Sequence, residues 1–141
     1  MQIGVETSRA VENKRLFVVD DDEITRAALQ FMLHDENEAH EVPDVASALS
    51  KSEHMKPDVI LLGAGLVQKE GTEVLNLLKS RIPGMKLLLV ADTDTDPLVI
   101  ECRQNGADAV LVKPLTIEAT RKQVDRLLGR INRTVIPIYG V

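Results

Sequence analysis

Four short aliphatic runs limit what this chain can fold into more than any other feature: Leu16–Val19, Val59–Leu62, Leu87–Val90 and Ala109–Val112. Each is apolar at every position rather than at alternate ones. That is the pattern of strands covered on both faces, and so of a parallel sheet between helical layers. Leu87 lies 28 positions after Val59, and Ala109 lies 22 after Leu87. Either gap holds one helix and its loops, since a parallel crossover needs about a dozen residues or more. The 43 positions from Leu16 to Val59 leave room for a helix, a weaker strand near His40-Glu41-Val42 and a second helix. The expected architecture is βα repeated five times, a doubly wound α/β domain on a five-stranded parallel sheet.

Helical periodicity fills the gaps. Ile24, Ala28, Phe31 and Met32 share one face of a predicted helix; Val74, Leu75, Leu78 and Ile82 share another; Ile117, Val124, Leu127, Leu128 and Ile131 share a third. Asp96-Pro97 reads as an N-cap followed by the first helical position, and Asn105-Gly106 as a helix stop. Residues 1–14 read as a polar leader, 15–131 as the domain, and 132–141 as a tail or the start of a linker.

Composition narrows the function. The 141 residues carry a net charge of −5 and only three aromatic residues, Phe17, Phe31 and Tyr139. The acidic balance argues against direct nucleic-acid binding, and the shortage of rings argues against stacking sites. The single cysteine, Cys102, forbids an internal disulfide and reads as a packing residue. His34, His40 and His54 lack metal-ligand spacing, and Ser47, Ser50 and Ser52 fall in a predicted helix with no nucleophile elbow. No basic head with a long apolar run opens the chain, and no stretch approaches the ~20 apolar residues of a membrane span, so a cytoplasmic location is expected.

In an open parallel sheet, function collects at the carboxyl ends of the strands. Those ends carry Asp20-Asp21-Asp22, Gly63-Ala64-Gly65, Ala91-Asp92 and Lys113-Pro114. Two readings fit: a cation or phosphate site built from the acids and the lysine, or a cap in which Asp22 starts the following helix while the other acids are solvated. Asp92-Thr93-Asp94-Thr95-Asp96 starts like a calcium loop, but Pro97 stands where that loop needs glycine, so it reads as a solvated helix cap. A triple acid after the first strand also excludes a phosphate-cradling glycine loop and disfavours a flavin site.

These residues resemble the receiver domain of two-component response regulators. Leu16-Phe17-Val18-Val19-Asp20-Asp21-Asp22 is similar to that family's first strand and acidic turn, and Pro57-Asp58-Val59-Ile60-Leu61-Leu62 to the lead-in of its phosphorylated strand. Glu70-Gly71 falls where the family has Asp-Gly, and Asn105-Gly106-Ala107 through Lys113-Pro114 looks like its GA…KP stretch. The resemblance covers residues 15 to about 131. It implies a flavodoxin-like receiver fold, a cis peptide before Pro114, a magnesium-binding acidic pair at Asp20 and Asp21, and a phosphoryl-contacting lysine at Lys113.

The chain departs from that pattern at three places. The phosphoacceptor position is Gly63, which has no side chain to form an acyl phosphate; the hydroxyl position on the fourth strand is Ala91; the mobile aromatic of the fifth strand is Val110. Together these imply a phosphorylation-independent pseudo-receiver that is not an enzyme. No cofactor is required, although Asp20 and Asp21 retain the donors for weak magnesium binding. The preferred reading has Lys113 paired with Asp20 or Asp21 in the cation's place; in a second version Asp92 leans toward that pair as a substitute ligand.

The expected partners are proteins: a histidine kinase, an output domain or another signalling protein, or a second copy of the chain. Family members bind through the face built by the fourth helix, fifth strand and last helix, where Arg121 and Lys122 lie on a locally basic helix near Glu101, Arg103, Gln104 and Asp125. The alternative function is an active receiver phosphorylated on a non-standard acid such as Asp20 or Asp21.

Overall fold

The computed structural model describes residues 13–130. The 1–12 part of the leader, Ile131 and the 132–141 tail lie outside them, while Lys14 already opens the first strand. In chain order the elements are β1 (Lys14–Val19), α1 (Glu23–Leu33), β2 (Asn37–Val42), α2 (Val45–Ser52), β3 (Val59–Gly63), α3 (Ala64–Glu70), α4 (Glu73–Arg81), β4 (Lys86–Ala91), α5 (Pro97–Gln104), β5 (Ala109–Val112) and α6 (Ile117–Leu128). All five strands are parallel, in the order β2-β1-β3-β4-β5. This is the doubly wound α/β fold expected from the four aliphatic runs, in the flavodoxin-like form that the resemblance implied.

Strand alternation divides the core in two. Phe17, Val19, Ile60, Leu62, Leu87 and Leu89 point to one face and pack under α2, α3, α4 and α5. Leu16, Val18, Val59, Leu61, Leu88 and Val90 point to the other and pack under α1 and α6. Because both faces are covered, both parities are apolar. The edge strand β2 shows no such run: only Asn37 and Val42 are buried along it, and its flank carries the Arg15–Glu38 pair at 2.7 Å. A charged edge blocks strand-to-strand association.

Helix starts follow local chemistry. Asp22, Asp44, Asp96 and Thr116 each accept a backbone N–H of the first turn of α1, α2, α5 and α6. Pro97 sits at the first turn of α5, and the Lys113–Pro114 peptide is cis.

Three expectations need correction. The β3–β4 crossover holds two helices rather than one, because the chain turns at Gly71, whose φ of +97° a residue with a side chain rarely adopts. In α1 the buried residues are Thr25, Leu29 and Leu33. Ile24 and Phe31, expected inward, are 80% and 65% exposed. The phase is set at the N-terminus: Asp22 holds Thr25 inward through a 2.6 Å bond from its Oγ1, and Arg26 reaches back to the Asp20 carbonyl at 2.7 Å. In α6 Val124 is buried, but Ile117 is 45% exposed, in the first turn ahead of the packed part of the helix.

This phase gives a sharp mutational contrast. Leu29→Ala is expected to cost about 2–5 kcal/mol of unfolding free energy, as cavity-forming core truncations do. Phe31→Ala is expected to change it by less than about 0.5 kcal/mol, as exposed substitutions do. Urea denaturation of both variants checks this; a larger loss for Phe31→Ala would reverse the helix phase.

Candidate functional site

The carboxyl ends of β1, β3, β4 and β5 meet through the sheet register, which sets Val19 beside Leu62, Gly63 beside Val90 and Ala91 beside Val112. Over these tips lie Asp20, Asp21, Asp22, Gly63, Ala91 and Lys113, brought together as the sequence implied. Their geometry gives the three consecutive acids three different tasks.

Asp20 is buried. Its Oδ1 accepts the Asp22 N–H at 2.9 Å, and its carboxylate lies against the bare tip of β3. A Cβ built on Gly63 would stand 2.6 Å from the Asp20 carboxyl carbon and 3.0 Å from Oδ1. The carboxylate therefore fills the space that a side chain at position 63 would enter. Burial pushes the Asp20 carboxyl above the usual range; the Asp22 N–H opposes this, the charges of Asp21 and Asp22 reinforce it, and Lys113 counters it.

Asp21 faces outward and is held by the ammonium of Lys69, from α3. The bond and charge of Lys69 draw its carboxyl below the usual range. Asp22 caps α1, accepting from Ile24 N at 3.3 Å and from Thr25 Oγ1 at 2.6 Å, and is lowered chiefly by the Thr25 hydroxyl. The capping reading of Asp22 is thus met. Solvation holds for Asp21, which is exposed although ion-paired, and fails for Asp20, which is buried.

Lys113 does not pair with Asp20 or Asp21. Its Nζ lies 3.5 Å from Asp92 Oδ1, whose side chain is mostly exposed. The reason is position: Lys113 N is bonded to Ala91 O at 2.9 Å, which sets the lysine next to the β4 tip and leaves Asp21 to Lys69. Asp92 accordingly engages Lys113 instead of joining the acidic pair. Farther along that stretch Thr93 and Thr95 bond each other at 2.9 Å, Asp94 is exposed, and Asp96 caps α5. Ala91 and Val110 are buried and bring neither a hydroxyl nor a ring to the site.

The donor set is poor for a divalent ion. Magnesium takes near-octahedral oxygen ligands, whereas both carboxylates here are engaged and position 63 offers none. Among the described residues no group of three or more His, Cys, Asp or Glu side chains could hold a metal ion.

On the expected partner face, Arg121 turns toward α1: its Nε donates to the Met32 carbonyl at 3.0 Å, and its guanidinium stands 3.5 Å from Asp35 and 4.0 Å from Glu36. Arg121 thus ties α6 to the end of α1, with about a third of its side chain left exposed. Lys122 is exposed. Lys69 was missed from the sequence, because its partner lies 48 positions away and the segment carrying it gave no helical pattern of its own. Cys102 is buried, and burial raises its thiol, in keeping with a packing role.

Asp20 supplies a test with a definite sign. Its proton is held more tightly in the folded than in the unfolded state, so its ionisation removes stability as pH rises through the window above the ordinary aspartate value of about 4. Asp20→Asn keeps an oxygen for the Asp22 N–H and is expected to stabilise the protein at pH 7. That gain should shrink as pH falls into the aspartate range. Urea titrations between pH 3.5 and 7 check it, and a gain independent of pH would contradict the assignment.

The response regulator receiver domain family matches residues 16–125. The chain is 31% identical over 121 residues to the alkaline phosphatase synthesis transcriptional regulatory protein PhoP of Bacillus subtilis, covering 84% of this chain and 50% of that protein. It is 30% identical over 114 residues to a cyclic di-GMP phosphodiesterase of Thermotoga maritima, covering 80% of this chain and 30% of that one. The chain thus spans half or less of the length of these two curated relatives. A receiver domain protein (CheY-like) of Methanospirillum hungatei superposes with a TM-score of 0.72 at 26% identity, over 82% of this chain and 94% of that one. A response regulator from Thermotoga maritima superposes at 0.76 with 18% identity, over 83% and 98%. With the sheet order, the acidic turn and the Lys113–Pro114 peptide already in place, the family match over most of its length assigns this chain to the response regulator receiver domain family.

Proposed function

We propose that this receiver domain signals by protein–protein contact and does not depend on phosphoryl transfer to residue 63. The observation that carries the reading is the tip of β3, where Gly63 has no side chain and the Asp20 carboxylate occupies the space beside it. An acyl phosphate needs a carboxylate placed in line with the leaving oxygen. Here Asp20 backs onto the strand and Asp21 is tied to Lys69, so neither stands free to attack. The loss of a hydroxyl at Ala91 and of a ring at Val110 supports the same reading, since each would serve only a phosphorylation-driven rearrangement.

On this reading the domain binds and does not catalyse. Its partners are a histidine kinase, an output domain or another signalling protein, or a second copy of the chain. The relatives' names include transcriptional regulators; regulation of an output domain is the corresponding proposal here, with nucleic acid contacted by that domain and not by this acidic one. Among the described residues no helix is long and apolar enough to cross a membrane, and cytoplasmic action accompanies the receiver assignment. The contact surface is the α5–β5–α6 side with exposed Arg103 and Lys122.

Intact-mass measurement after incubation with magnesium and a small acyl phosphate tests this. The wild-type chain is expected to stay unmodified. Gain of one phosphoryl group would overturn the reading and favour Asp20 or Asp21 as a non-standard acceptor.

A further inference from the structure

Lys69 leaves α3 and crosses to the β1–α1 turn, where its ammonium meets the Asp21 carboxylate. Beside it, Asp20 is withdrawn beneath Gly63 and bonded to the Asp22 N–H. We infer that Lys69 is a built-in cation of the acidic pocket, neutralising Asp21 in place of a divalent ion and competing directly against one. The inference rests on the proposed phosphorylation-independent role, which removes any need for such an ion.

The chemistry of the donors supports it. A hard divalent cation binds by gathering several oxygens at about 2.0–2.1 Å. Of the carboxylates over the strand tips, Asp22 is spent on the α1 cap, Asp92 is directed to Lys113, and Asp20 is occupied beneath β3. Of the acidic pair, Asp21 is the one whose carboxylate meets a cation from another element, and that cation is Lys69.

The lysine also has a standing advantage over a free ion. The α3 helix begins directly after Gly63, the residue against which Asp20 packs, so its ammonium is delivered from within the same cluster. A short tether gives such a group an effective concentration on the order of millimolar. A free divalent ion at similar concentration must displace it and also turn Asp20 outward. Lys69 is 68% exposed along its side chain, so its removal leaves the core untouched, and the competition is between solvated ions rather than buried ones. An exposed pair of this kind shifts an equilibrium by up to about fivefold.

The experiment uses the full chain and manganese as the probe, with free Mn2+ followed by its electron paramagnetic resonance signal. Wild type, Lys69→Ala, Lys69→Ala with Asp21→Asn, and Lys86→Ala are compared; the last removes one exposed positive charge at the opposite end of the sheet. Lys69→Ala is expected to bind Mn2+ about fivefold more tightly than wild type. The double variant should lose that gain, and Lys86→Ala should match wild type. Equal behaviour of wild type and Lys69→Ala, whether both bind or neither does, would overturn the inference, as would an equal gain in Lys86→Ala. The acyl phosphate mass measurement separates the two levels. A phosphorylated wild type defeats the functional reading itself, whereas an unmodified wild type with equal Mn2+ binding defeats only the role of Lys69.

Discussion

The burial of one carboxylate against one glycine organises this domain's working end. Parallel pairing sets β1 beside β3, so the first residue beyond β1 and the last residue of β3 come within contact of each other. A side chain at position 63 would drive the Asp20 carboxylate out toward solvent. Its absence lets Asp20 fold inward, where it exchanges water for one backbone N–H and for a raised affinity for its own proton. The cost falls on the acid, and the neighbouring groups adapt. Asp22 is left to cap α1, Asp21 goes to Lys69, and Lys113 is left to Asp92.

Those choices tie separate elements together. Lys69 joins α3 to the β1–α1 turn, and Lys113 joins the ends of β4 and β5. On the far side, Arg121 closes α6 on the end of α1. In the phosphorylated design that the family resemblance implies, the same strand tips change partners when a phosphoryl group arrives. Here Asp20, Asp21, Asp22 and Lys113 already have partners within the fold, which supports the phosphorylation-independent role proposed above.

Much of this was legible in the sequence, for physical reasons. Strands covered on both faces must be apolar at every position, so four of the five were readable as solid runs, while β2, at a charged edge, left only a trace. Caps at Asp22 and Asp96 and the stop at Gly106 were legible because they are local chemistry. The inward face of α1 was not: Ile24 and Phe31 are more apolar than Thr25, and only the three-dimensional bonds from Asp22 and Arg26 fix the helix phase. The charge pairing failed for a related reason. Lys113 and Lys69 both reach the strand tips, and proximity in the fold, not spacing in the chain, decides which acid each one meets.

A strand-tip site so arranged should be closed to an acyl phosphate and its mimics. The most direct measurement is the 1H–15N NMR spectrum of the full chain with and without magnesium and beryllofluoride, which forms a tetrahedral adduct with an accessible carboxylate. Superimposable spectra at Asp20–Asp22, Gly63, Ala91 and Lys113 are the predicted result. Saturable shifts at those residues, spreading into β4, α5 and β5, would contradict it and mean that an acid at the strand tips still takes the ligand.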